Sequence, residues 1–330
     1  MKLEKKNLER FLEILSSEYS IYAPVNGEEC EYKIWKKGDD VNLEGLNTIK
    51  PPKDLLFPNT EKMYKYTRGK DAEITEIVPE DEKKILFGIR PCDVRSIELM
   101  DDAFLTKTYV DSYYAKRRGN VYVIAMGCVS ARETCFCGSM DIDPGKAPSA
   151  DVMMNIDADG TGYVLEGQTQ KGEELLKKAA AVLTDGGKAA KAVESPLKIN
   201  KIKDLDKKLG GMFEHPIWDE VTKGCLGCGT CTFVCPTCYC FDIDSENHTA
   251  EGCKYRCWDS CMFSDYTRMA GGHNPRPTKK ERLRNRYLHK LCYFNERYGK
   301  TLCVGCGRCI AKCPAHLDIS EVIEKLGEVE

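Results

Sequence analysis

Leu8, Phe11, Leu12 and Leu15 recur three and four residues apart between charged positions. That is the spacing of an apolar stripe on a helix, so residues from about Leu3 to Ser17 are predicted to form an amphipathic opening helix. Tyr19 to Val25 and Glu31 to Trp35 read as strands. Asn47 to Phe57 carries Pro51 and Pro52, with Pro58 just beyond, and is expected as an extended surface segment because proline suits neither a helix interior nor a central strand. The apolar run Ile85-Leu-Phe-Gly-Ile89 predicts a buried strand, Val94 to Phe104 a helix, and Val121-Tyr-Val-Ile-Ala-Met126 a second buried strand. Strand, helix, strand in that order predicts a small α/β core.

Further along, Asn155-Ile-Asp157-Ala-Asp159-Gly160, with Glu166 beyond it, matches the oxygen spacing of a calcium-binding loop except for its first residue. The flanks argue otherwise: Asp151 to Ile156 and Tyr163 to Glu166 look like paired strands, and Asp-Gly is a hairpin turn signal. Gly172 to Leu183 reads as a helix stopped by Gly186-Gly187, and Lys188 to Lys208 as a basic linker. Tyr255 to Ala270 is expected to be helical, and Asn274 to Pro277 a loop. Lys279 to Tyr298 predicts a long helix with Leu283, Tyr287 and Leu291 on one face. Its Arg282, Arg284, Arg286 and Lys290 read as a solvated face; the alternative is a surface that docks an acidic partner or offsets negative charge on reduced clusters.

The candidate chemistry lies in a repeat. Cys225-Leu-Gly-Cys228-Gly-Thr-Cys231-Thr-Phe-Val-Cys235-Pro236 returns as Cys303-Val-Gly-Cys306-Gly-Arg-Cys309-Ile-Ala-Lys-Cys313-Pro314. In the spacing C-x2-C-x2-C-x3-C-P, three close thiolates each hold one corner of a [4Fe–4S] cube, and the fourth is carried past it to the other cube. Two clusters are therefore expected, one on Cys225, Cys228, Cys231 and Cys313, the other on Cys303, Cys306, Cys309 and Cys235. Gly227, Gly229, Gly305 and Gly307 let backbone N–H groups approach the sulfides. A pair of zinc sites is the rival, but zinc favours two separated C-x2-C pairs.

With 330 residues, 42% hydrophobic and 31% charged, the chain has room for two globular domains. Forty-nine basic against 52 acidic residues point to neither nucleic acid nor a membrane surface. The charged start argues against a secretory signal, and no apolar run reaches the length of about 18 residues that a membrane span needs. The expectation is a cytoplasmic protein without membrane insertion. Nineteen cysteines in such a chain read as reduced metal ligands, and the fourteen from Cys225 to Cys313 mark the cofactor domain.

Cys92, Cys128, Cys135 and Cys137 fall where strands give way to loops, the places where α/β sheets build sites. They are candidates for a third [4Fe–4S] cluster; the alternative is that they are small buried hydrophobes. The C-x-C spacing is cramped, and one of Cys135 and Cys137 is open to being idle. Asp93, Arg90 and Arg95 beside Cys92 either set local charge or make a structural salt bridge. Cys238, Cys240 and Cys261 are expected to pack around a cube, the alternative being that one is a ligand in a further site, and Cys30, Cys253, Cys257 and Cys292 carry no functional expectation. The 67 residues between Cys235 and Cys303 must hold structure of their own. Cluster runs set among helices are similar to the α-helical ferredoxin domain of succinate dehydrogenase and heterodisulfide reductase iron–sulfur subunits. The expected fold is thus α+β: a small α/β domain over residues 1–200, then a mostly helical two-cluster domain over 201–330.

Gly88-Ile-Arg-Pro-Cys-Asp93, Asp111-Ser-Tyr-Tyr-Ala-Lys-Arg-Arg118, Cys135-Phe-Cys-Gly138, Cys235-Pro-Thr-Cys-Tyr-Cys-Phe241, Trp258-Asp-Ser-Cys261, Gly272-His-Asn-Pro-Arg276 and His289-Lys290 together resemble one family. It is the iron–sulfur subunit family to which the sulfhydrogenase β subunit belongs, together with the corresponding iron–sulfur subunit of anaerobic sulfite reductase. The resemblance implies a non-catalytic electron relay between a flavin- and NAD(P)H-binding partner subunit and a catalytic redox subunit of hydrogenase, sulfite reductase or heterodisulfide reductase type. No G-x-G-x-x-G after a strand, Walker loop or catalytic triad appears, in keeping with a chain that has no flavin or nucleotide of its own. Two rival functions remain at this point: a self-sufficient reductase with substrate near Cys92 and Cys135, and a zinc-binding structural adaptor.

Overall fold

The computed structural model describes residues 1–106 and 108–329. Its strands in chain order are Lys2–Glu4 (β1), Ser20–Val25 (β2), Glu31–Ile34 (β3), Thr60–Thr67 (β4), Ile74–Glu76 (β5), Lys84–Ile89 (β6), Leu105–Thr106 (β7), Tyr109–Val110 (β8), Val121–Met126 (β9), Val152–Ile156 (β10), Gly162–Gly167 (β11), Phe241–Asn247 (β12) and Glu251–Trp258 (β13). Seven of them form one sheet in the order β1-β11-β10-β9-β6-β2-β3. β2, β6, β9 and β10 run parallel in its centre, and the edges are antiparallel.

Parallel strands are covered on both faces, which explains why β6 and β9 are unbroken apolar runs rather than alternating ones. All six residues of β9 are buried. Helices α1 (Leu8–Ser16) and, later in the chain, α4 (Gln170–Lys178) cover one face, packing Phe11, Leu12, Leu15, Leu175 and Leu176 onto Ile21, Phe87, Ile124 and Met126. Helices α2 (Pro91–Phe104) and α3 (Ser112–Asn120) cover the other. The opening helix is thus shorter than expected, because Lys2–Glu4 is held as an edge strand against β11.

The hairpin reading of residues 155–166 is what the structure has. β10 and β11 pair antiparallel, and Lys2 Nζ takes the two turn carboxylates, 2.5 Å from Asp157 and 2.6 Å from Asp159.

The expected helix over Tyr255 to Ala270 is corrected. Residues 251–258 are a strand, and the chain beyond it forms turns with one short 3₁₀ segment at Asp265–Thr267. β12 and β13 make a hairpin that joins β4 and β5 in a second sheet, ordered β12-β13-β4-β5. The partner strand β4 lies nearly two hundred residues upstream, so no local pattern could announce it. Arg256 anchors the junction: it is 2% exposed, 2.7 Å from Glu61 and 2.5 Å from Asp111. Two strands of this sheet come from each side of residue 200. The segment Asn47 to Phe57 is also corrected: Leu55, Leu56, Phe57 and even Lys53 are buried, because proline prevents sheet pairing without preventing burial.

The remaining helices are α5 (Leu205–Gly210), α6 (Ile217–Val221), α7 (Thr230–Phe233), α8 (Lys279–Leu288), α9 (Phe294–Tyr298), α10 (Arg308–Ala311) and α11 (Ile319–Glu328). α8 starts at a Thr278/Glu281 capping box, and a π-helical turn at His289–Tyr293 joins it to α9, giving the predicted long helix. Leu283, Tyr287 and Leu291 pack with Trp218, Leu209 and Ile323 of the helices around them. Arg282, Arg284, Arg286 and Lys290 are buried, so the solvated-face reading is overturned.

Candidate iron–sulfur sites

The two cysteine runs adopt the same backbone. Gly227 and Gly305 have φ of +72° and +62°, and Gly229 and Gly307 have +78° and +73°, each second glycine leading into a single helical turn, α7 or α10. These left-handed positions turn the chain around a space instead of through it. α7 and α10 pack against each other, which sets the runs side by side.

That juxtaposition crosses their fourth cysteines. Cys225, Cys228, Cys231 and Cys313 line one cavity, together with Arg286, Tyr287 and Cys309. Cys235 lies on the other side, among the thiols of the second run. Burial is the main cause that pushes Cys303 up to about 11 and raises Cys306 and Cys309, and the negative charge of Cys235 adds to the shift at all three. Among the described residues no three His, Cys, Asp or Glu side chains close on a point the size of one ion. Cys225, Cys228, Cys231 and Cys313 instead share the lining of one cavity.

Cys92, Cys128, Cys135 and Cys137 also come together. Cys92 follows the end of β6 and Cys128 the end of β9, neighbouring parallel strands. The four line a cavity with Arg90, Arg132 and Cys306. Burial raises all four thiols, Cys128 to about 12. The expected linker is part of this wall: Val193 N–H donates to Cys128 O at 2.9 Å and Leu197 N–H to Cys135 O at 3.1 Å.

The run from Cys303 to Cys309 joins this site directly. Phe136 N–H donates to Gly305 O at 2.8 Å, Thr134 Oγ1 to Gly307 O at 3.1 Å, and Asn47 Nδ2 to Cys306 O at 3.0 Å. A Cβ on Gly305 would sit 2.6 Å from Phe136 C and Cys137 N, so glycine is required there for close approach. Arg308, wholly buried between Cys306 and Cys309, grips Asp93 through two bonds of 2.5 and 2.7 Å and gives Nε to Thr48 O at 2.6 Å. Asp93 is therefore in a salt bridge. Arg90 instead donates to three carbonyls, those of Leu43, Gly45 and Gly127, and Arg95 pairs with Glu98.

Other buried cations near the thiols have no carboxylate partner among the described residues. Lys290 is 2% exposed and donates to Thr237 Oγ1 at 2.9 Å, whose oxygen is 3.3 Å from Cys235 Sγ. Burial works against its charge, but the Cys235 and Cys238 thiolates outweigh it and raise its pKa. Arg286 donates to Cys231 O at 3.3 Å, and its Nε has no partner among the described residues. Lys53 reaches Cys238 O at 2.8 Å and stacks 4.1 Å from the Trp258 ring. Lys53 and Arg308 escaped sequence reasoning: nothing local marks a lysine 182 residues upstream of Cys235, or an arginine inside a cluster run, as buried. Cys261 is buried and Cys240 partly so, both in the helical core.

Residues 224–317, which hold both runs, match the family described as a 4Fe-4S dicluster domain. This is an iron–sulfur protein. Over 342 aligned positions it is 31% identical to sulfhydrogenase 2 subunit beta of Pyrococcus furiosus, covering 99% of this chain and 98% of that protein. The chain belongs to the sulfhydrogenase β-subunit family of iron–sulfur proteins. Among the described residues no helix is long and apolar enough to cross a membrane.

Proposed function

We propose that this chain is the electron-relay subunit of a cytoplasmic redox complex, carrying single electrons between a flavin- and NAD(P)H-binding partner and a catalytic redox subunit. The observation that carries the reading is the crossing of the runs, which brings Cys313 to the first run's cavity and Cys235 to the second run's thiols. Cys225, Cys228, Cys231 and Cys313 would hold one [4Fe–4S] cube, and Cys303, Cys306, Cys309 and Cys235 a second. Cys92, Cys128, Cys135 and Cys137 would hold a third. When bound, the cubes supply one-electron storage at low potential.

The chain's own residues do the rest. Residues 1–200 act as the α/β unit and 201–330 as the cluster-bearing unit, joined by the shared sheet. The thiols fix the three positions, and the buried cations offset charge that would otherwise be costly in a low-dielectric interior. Cys306 borders the cavity of the third site and Cys309 that of the first set, so the second set lies in the middle of a line. Electrons would pass in that order, or its reverse.

Anaerobic purification with iron and sulfide analysis tests the assignment. About twelve irons per chain are expected for three cubes, and Cys135→Ser should bring the count to about eight. About eight in the parent chain removes the third site, and a colourless protein without a paramagnetic signal on reduction rejects the relay.

A further inference from the structure

The three candidate sites differ in how far they stand from solvent. Cys228 is the one exposed cysteine of the chain, whereas Cys92, Cys135, Cys137, Cys235 and Cys306 are buried. Beside it Leu226 is 61% exposed. Exposed lysines stand beside the loop. Lys223 and Lys279 are exposed, and the Lys279 stem lies 3.6 Å from where a Cβ on Gly227 would be. The acidic neighbours Asp219 and Glu220 are taken up by Lys280 and Lys325, so among the described residues the two outward lysines are left without a carboxylate.

We infer that the Cys225–Cys231 loop is the port by which electrons cross between this chain and a partner. The partner is a redox protein whose own cofactor lies near its surface, inside a rim of acidic side chains around an apolar contact. Leu226 fills the apolar contact, Lys223 and Lys279 face the acidic rim, and the exposed Cys228 thiolate shortens the jump between cofactors. Charge of this kind chiefly raises the association rate and loses its effect as salt increases. The inference rests on the assignment of a cube to Cys225, Cys228, Cys231 and Cys313, and adds where that cube is approached and by what.

The test uses the anaerobic full chain, reduced and mixed in a stopped-flow instrument with an acidic b-type cytochrome or with basic cytochrome c. At low salt the acidic cytochrome should be reduced faster, with the rate falling as ionic strength goes from about 20 to about 300 mM. Lys223→Glu with Lys279→Glu should slow the acidic acceptor about tenfold and speed the basic one. Leu226→Ser should slow both. Variants that keep their full iron and their paramagnetic signals, yet reduce both cytochromes at the parent rates, overturn the port. Unchanged iron in Cys225→Ser would instead overturn the cube assignment beneath it.

Discussion

Lys290→Met should lower the reduction potential of the cluster proposed for Cys303, Cys306, Cys309 and Cys235. The Lys290 ammonium reaches Cys235 through one hydroxyl, by contacts of 2.9 and 3.3 Å, and no carboxylate neutralises it among the described residues. The charge therefore lies within about 6 Å of the sulfur, and at 6 Å two unit charges interact by about 3 kcal/mol at an effective dielectric constant of about 20. One electron moved through 100 mV corresponds to about 2.3 kcal/mol, so an electron placed on that sulfur would feel a shift of about 120 mV. The electron added on reduction is spread over the cube and lies farther off, which brings the expectation to about 50–100 mV. The sign follows from charge: a buried cation favours the more negative, reduced state. Methionine keeps the length of the side chain, so packing is largely retained. A redox titration followed by electron paramagnetic resonance reads the shift, with iron content confirming that the sites are loaded. Lys290→Arg keeps the charge and should hold the potential near the parent value. A Met variant with full iron and an unmoved or raised potential would refute the reasoning.

The Asp93–Arg308 pair locks the loop after β6 to the second run. Asp93→Asn should destabilise the protein by about 3–5 kcal/mol, because Arg308 is left charged and buried, whereas Asp93→Leu with Arg308→Met should cost much less. Anaerobic urea unfolding of the holoprotein compares them. His289 is held mostly neutral by burial, with Lys290 and Arg276 adding to the effect, and its pKa falls from 6.5 to about 4. A lowered histidine value means that its stabilisation is complete above about pH 6.5 and is lost as pH falls toward 4. Between pH 8 and pH 5.5 the parent should lose about 1 kcal/mol that His289→Gln does not lose, read from denaturation midpoints at each pH.

Much of the α/β unit was legible in the chain because its information is local. The continuous apolar runs of β6 and β9 exist since parallel strands are buried on both faces, and the Asp-Gly turn of residues 159 and 160 specifies its own hairpin. The iron–sulfur character of the two cysteine runs was legible for a related reason: ligation of a cube would impose spacing on neighbouring residues, and the repeat announces a second copy.

The features that escaped the linear reading depend on partners far apart in the chain. Residues 255–258 became strand because β4 offered an edge, and a strand's pairing is set by its neighbour as much as by its own propensity. Arg286, Lys290 and Arg308 look like surface residues until the fold encloses them, since a charged side chain is tolerated inside only where opposite charge awaits it. Spacing along the chain named the thiols. Which of them face one another, and which cations stand among them, followed from packing of the two runs against each other and onto the Thr134–Cys137 loop, because electrostatic effects act through space and fall with distance, not with position in sequence.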